Sequence, residues 1–203
     1  MKSTRISRRE VLKAAGVTSA VVAALGPNAI IASADETTVR WDIVSINFAN
    51  GEVSAGGIAS ARAEDHSKIT LTGSGTFTPG EDDQVTGGGT WKTFDHDGAQ
   101  TGMGSYRVTR FVEWHVAPGM FPGFLKDTIG GGRPSPGLAV LNIRYNDRST
   151  GVLVVSCELA GSPHSVFEGI TVSKDFVDYW EREAPPAPPG NANRTLFHVR
   201  EDD

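Results

Sequence analysis

The chain has 203 residues, 19 Lys and Arg against 24 Asp and Glu for a net charge of −5, and one cysteine. An acidic balance without basic clusters interleaved with aromatics argues against nucleic acid and anionic membrane surfaces as partners. A single thiol excludes an intrachain disulfide, a CxxC redox pair and a thiolate zinc site, while the length suits one domain with its own core.

In chain order, Ser7-Arg8-Arg9-Glu10-Val11-Leu12-Lys13 comes first, then an Ala-rich apolar run from Ala14 to Leu25, then Ala32-Ser33-Ala34. This stretch resembles a twin-arginine export signal, with Val11 where Phe is usual. The resemblance implies a signal peptide over residues 1–34, with Arg8 and Arg9 recognised by the twin-arginine export machinery and Ala32 and Ala34 framing the cleavage site. The apolar run falls short of the roughly 20 residues needed to cross a bilayer. Cleavage would leave residues 35–203 with 14 Lys and Arg against 23 Asp and Glu, a net of −9. The expected product is secreted or periplasmic, with no stable membrane association after processing.

The mature segment reads as strands. Alternation and β-branched content mark Val39 to Phe48, Gly51 to Ala63, Lys68 to Phe77, Gln84 to Phe94, Gly102 to Val116, Leu138 to Tyr145, Gly151 to Leu159 and Val166 to Val172, with a short last strand at Thr195 to Val199. Within them Thr72-Gly73-Ser74-Gly75-Thr76-Phe77 recurs as Thr86-Gly87-Gly88-Gly89-Thr90-Trp91 and as Thr101-Gly102-Met103-Gly104-Ser105-Tyr106. A repeat that holds one strand and one turn predicts neighbouring antiparallel strands. Glycines two apart share a face, where they let a sheet bend and leave room for an aromatic ring. Pro79 to Asp83 and Asp95-His96-Asp97-Gly98 supply turns between the copies. Further on, Phe176, Val177 and Trp180 fall at helical spacing behind Ser173 as the candidate cap, which predicts one short helix over Lys174 to Glu183. Pro118 to Pro136 reads as a loop, and the proline-rich segment 184–190 as an extended spacer before the last strand.

The pattern predicts an all-β fold, a single antiparallel up-and-down β-barrel of about eight strands over residues 35–203, with a β-sandwich as the alternative. Val85-Thr86-Gly87-Gly88-Gly89 followed by Gly102-x-Gly104-x-Tyr106 is similar to the glycine-rich strand pair of allene oxide cyclase-like and dirigent-like barrels. The resemblance implies a barrel with a lumen, a fold that hosts cyclases, stereochemistry-directing proteins and plain binders. No catalytic motif of that family is present to carry over.

Candidate chemistry concentrates on the strand through residue 116. Strict alternation places Tyr106, Val108, Arg110, Val112, Trp114 and Val116 on one face, and Arg107, Thr109, Phe111, Glu113 and His115 on the other. If the second face looks inward, Glu113 and His115 form an acid/base pair, with Phe111, Arg144 and Glu158 as ligand-binding partners in a lumen. The same charges equally suit the solvent face of an ordinary sheet. Asp95-His96-Asp97-Gly98 reads as a turn, not a metal loop, and Cys157 as a buried structural thiol beside Leu153 and Val155. No hydrolase, kinase or redox motif occurs, and neither a cofactor nor a metal is expected. The expected function is binding of a small, mostly apolar ligand. The alternatives are a non-redox isomerase or cyclase and a structural or partner-binding sandwich.

Overall fold

Runs of β-branched and aromatic residues broken by Gly, Asn and Asp favour strands over helices throughout. The computed structural model describes residues 37–186 and 190–201, with Glu201 by its backbone alone. Arg8, Arg9, Ala32 and Ala34, with the rest of the expected signal peptide, lie outside the described residues, as do positions 187–189 of the proline-rich segment.

Every regular element among the described residues is a strand: β1 (Thr37–Asn47), β2 (Glu52–Ala55), β3 (Ala59–Arg62), β4 (Lys68–Leu71), β5 (Ser74–Phe77), β6 (Gly88–Phe94), β7 (Gln100–Val116), β8 (Lys126–Asp127), β9 (Arg133–Ser135), β10 (Gly137–Tyr145), β11 (Thr150–Cys157), β12 (Gly169–Lys174), β13 (Val177–Tyr179), β14 (Glu181–Arg182) and β15 (Thr195–Glu201). They form one sheet in the order β13-β12-β11-β10-β7-β6-β5-β1-β15-β9. Branches leave this path, β4 linking β6 to β3, β3 reaching β14, and β2 lying between β1 and β8. The fold is all-β as expected, but its strand order is not that of an eight-stranded up-and-down barrel. The sheet is branched and mixed, since β2 and β8 pair in parallel. Its ladder also breaks at Trp180, where the chain leaves β12, the partner of β13, and starts β14 beside β3.

The helix expected over Lys174 to Glu183 is absent. Asp175 takes a left-handed conformation (φ 56°) that closes a tight hairpin, pairing Lys174 with Val177. The apolar spacing that suggested a helix is not a buried stripe, because Phe176 is fully exposed and Trp180 half-exposed. The expected Gly51 to Ala63 strand also divides, because Gly57 donates its amide to the Ile43 carbonyl and a Cβ there would fall on the Val44 carbonyl.

The three glycine copies do lie on adjacent antiparallel strands, with Ser74 opposite Gly88, Gly89 opposite Tyr106 and Trp91 opposite Gly104. Rings fill the space above them: a Cβ on Gly102 would meet Trp91 at 3.0 Å, and one on Gly75 would meet Trp41 Nε1 at 2.8 Å. At the crease Gly87 has φ 113°, and its missing Cβ would land on the Ser74 carbonyl oxygen. The β5 and β6 backbones therefore approach more closely than any side chain permits.

Two bulges in β7 decide which side chains enter the core. The ladder with β10 shifts between Asn142 and Ile143 and again between Val140 and Leu141, leaving Thr109 and Val112 as the extra residues. Each inserted residue turns the alternation over. Tyr106, Val108 and Phe111 are consequently buried and Trp114 partly so, while Arg107, Arg110, Val112, Glu113, His115 and Val116 are exposed. Phe111 stacks on Phe77 with ring centroids 4.8 Å apart, and Trp114 leans on Phe197 at 4.5 Å.

The segment Pro118 to Pro136, expected as a plain loop, forms a strap over β1, β2 and β15. Its β8 joins β2, its β9 joins β15, and Phe121, Leu125 and Ile129 pack against the core. This second layer explains why Trp41, Asp42, Ile43 and Val44 are all buried despite pointing alternately to opposite faces. Charged groups beneath it are paired. Arg40 makes a two-pronged bond to the fully buried Asp42 at 2.7 and 2.9 Å, and His198 Nε2 lies 2.8 Å from Asp127 Oδ2.

Candidate functional site

The strap does not lie flat. Between its Phe121, Pro122 and Leu125 and the sheet residues Val44, Ile46, Val53 and Leu196, a cleft of about 100 Å³ remains, lined also by Leu159 and the exposed Ala160. The lining is predominantly apolar, as a small-molecule site requires. Three residues with ionisable side chains, Glu158, Glu168 and Arg194, are part of the same lining.

Glu168 is the unusual member. It sits just before β12, where Gly169 (φ 114°) turns the chain into the strand, and only 8 % of it is exposed. Its Oε2 accepts the Glu158 amide at 2.8 Å and its Oε1 accepts the Thr195 amide at 2.6 Å, so one side chain ties the ends of β11 and β15 together. Burial pushes its carboxyl up to about 8, overriding the downward pull of those two amides and of Arg194. Such a shift favours the protonated form near neutral pH, in which a carboxyl gains an O–H donor. Arg194 is held at the rim by its bond to the Gly190 carbonyl at 3.2 Å and by the face of Phe48, 5.1 Å away. Asn193 sets this corner. In a left-handed conformation (φ 57°), it accepts the Ser60 amide at 2.7 Å and donates to the Ala184 carbonyl at 3.1 Å.

The five residues singled out from sequence do not assemble into one place. Glu113 and His115 meet at 2.9 Å but stand on the outer face, 57 % and 65 % exposed, with His115 edging a separate recess of about 300 Å³ beside Leu138, Ser156 and Val166. Phe111 is in the core, on the other side of the sheet. Arg144 is exposed four residues along β10 from the position facing Glu113, roughly 13 Å away at strand rise. Glu158 is the one of the five that lines the cleft. Glu168 and Arg194 had no sequence partner to announce them, because the groups that position Glu168 are backbone amides. A lone carboxylate inside Val166-Phe167-Glu168-Gly169-Ile170 was the available signal.

Elsewhere, the Asp95 to Gly98 segment is a turn, in which Asp95 Oδ1 accepts the amides of Asp97 and Ala99 at 3.1 and 2.8 Å. Among the described residues no group of three or more His, Cys, Asp or Glu is arranged to hold a metal ion. Cys157 is fully buried, and burial pushes its thiol well above the usual range.

The chain was compared with family models, curated proteins and solved structures. None matches.

Proposed function

We propose that the protein is exported and binds a small, mostly apolar molecule in the cleft under the strap, oriented by the Glu168 carboxyl. The observation that carries this reading is a buried carboxyl, Glu168, among the residues that line a mostly apolar concave site, with burial raising it to about 8. Its volume suits a ring or branched chain of a few carbons bearing one carbonyl or hydroxyl, with Arg194 at the mouth for a polar tail. The paired strands β1, β2 and β15, which supply Val44, Ile46, Val53 and Leu196, support the same reading by giving the cleft a stiff floor. Small cyclic ketones and alcohols, titrated calorimetrically against the full chain, should bind saturably. Ala160→Trp, which fills the exposed side of the cleft, should abolish that binding without changing the melting temperature by more than a few degrees. Equal binding by the tryptophan variant would refute the site.

Proton-transfer catalysis of the isomerase or cyclase kind is the second reading, favoured by one observation: a carboxyl near 8 is tuned for exchange with substrate close to neutral pH. Turnover that disappears in Glu168→Gln while binding persists would distinguish a catalyst from a binder. Export itself is tested by replacing Arg8 and Arg9 with Lys. Undiminished secretion of the double variant would remove the twin-arginine route from the proposal.

A further inference from the structure

At the opposite end of β10 from His115, three arginines line one patch, none of them ion-paired to an acidic side chain among the described residues. Arg107 and Arg144 are directly opposite each other in the β7–β10 ladder, and Arg148 follows in the turn between β10 and β11. All three line one concave patch of about 290 Å³, together with Ser105 and Asn146. Two like charges across a strand pair are unfavourable by themselves, their Cβ atoms standing about 5 Å apart. The nearest acidic residue in sequence is already committed. Asp147 accepts the Lys174 ammonium at 2.6 Å and the Ser149 hydroxyl at 2.7 Å, which hold its carboxyl down at about 2. Arg148 also occupies a left-handed conformation (φ 77°), a place where Gly or Asn sits with less strain. The chain thus concentrates positive charge at one spot, in an otherwise acidic protein, and places an arginine where backbone geometry disfavours one.

We propose that Arg107, Arg144 and Arg148 form a binding site for a tetrahedral, doubly charged oxyanion, a phosphate or phosphate monoester, on the outer face of the sheet. Three planar guanidinium groups offer more N–H donors than the two oxygens of a carboxylate can accept, whereas a phosphate presents three or four acceptor oxygens. Arginine is suited to this role because its fork matches such an anion in pairs of parallel bonds. The rest of the acidic surface repels extended polyanions, so the site takes an isolated charged group rather than a nucleic-acid strand. It is separate from the cleft under the strap and does not depend on that reading.

The test uses the full chain at pH 8, with ionic strength held constant by sodium chloride. Inorganic phosphate and glycerol phosphate are titrated calorimetrically and by thermal melting, with vesicles containing phosphatidic acid as a separate arm. A dissociation constant on the order of 1 mM and a melting-temperature rise of about 3–7 °C at 20 mM phosphate are expected. Arg144→Gln should weaken binding at least tenfold. Arg148→Gly should weaken it as well, while raising the melting temperature of the phosphate-free protein by about 2–4 °C through relief of the backbone strain. That opposite movement of affinity and stability is what a merely decorative arginine would not produce. Unaltered affinity in both variants, or no response of the wild-type chain to either phosphate compound, would overturn the site. Vesicle binding without a response to soluble phosphate would overturn it in favour of a membrane surface.

Discussion

Replacing Glu168 with Gln separates the electrostatic role of the cleft carboxyl from its packing. The unfolded chain ionises this group near 4.5, whereas the folded protein holds the proton up to about 8. A carboxyl raised in this way contributes stability that is fully present below pH 4.5 and is lost as pH climbs through 8. Between those limits the unfolded state has released its proton and the folded state has not. Each pH unit then costs about 1.4 kcal/mol, a total on the order of 4–5 kcal/mol. Gln does not titrate, so this slope vanishes. It also keeps one acceptor oxygen where the carboxyl has two, so either the Glu158 or the Thr195 amide loses its bond, at a cost of about 1–3 kcal/mol. The variant should be less stable than wild type at pH 5 and more stable at pH 8, with the curves crossing at about pH 6. Urea denaturation followed by tryptophan fluorescence from pH 5 to 8.5 measures both. The difference between the two proteins isolates Glu168 from every other titrating group. Parallel curves would refute the reasoning, because the carboxyl would then be ionised in the fold and unable to donate to a ligand.

Gly87→Val and Gly89→Val, which raise strand propensity, should each destabilise by about 1–3 kcal/mol or more in the same denaturation assay. Their new Cβ atoms fall on the carbonyl oxygens of Ser74 and Thr72, and a melting temperature at or above that of wild type would show that the crease can open. Removing the Glu113–His115 pair as a double alanine variant should change stability by no more than about 0.5 kcal/mol and leave cleft binding intact, since both groups stand in solvent; loss of binding would return them to the site. Native Cys157 should resist a thiol reagent until the protein is unfolded, and Cys157→Ser should cost about 1–3 kcal/mol by placing a more strongly solvated group at a fully buried position.

The strands, the turns between glycine copies and the neighbouring placement of those copies were legible because each depends on local chemistry: alternation, turn-forming residues, and the absence of a Cβ. What escaped was set by single residues that alternation cannot register. An extra Thr109 and an extra Val112 leave the apolar pattern of β7 looking regular, yet they turn Phe111 into the core and Glu113 and His115 out of it. Phe176, Val177 and Trp180 have helical spacing by coincidence, and one left-handed Asp175 turns that segment into a hairpin. The candidate cleft was less legible still. Glu158 was marked for its charge and for the wrong partners, while Glu168 answers to amides 10 and 27 residues away, which only the tertiary fold brings to it.

The pairing of β1 with β15 bears on when this molecule can become itself. Thr37 to Ile43 are matched to Glu201 through Thr195, so the first described strand waits for the last before its ladder is complete. Until then Trp41 and Ile43 lack a neighbour on one side, and β9, which leans on β15, has no edge to join. The β6–β7, β7–β10 and β10–β11 ladders need no such partner, so the first described strand is the part of the sheet that depends on the last. Completing the sheet therefore means closing a span of more than 150 residues, a step that costs loop entropy before its contacts repay it.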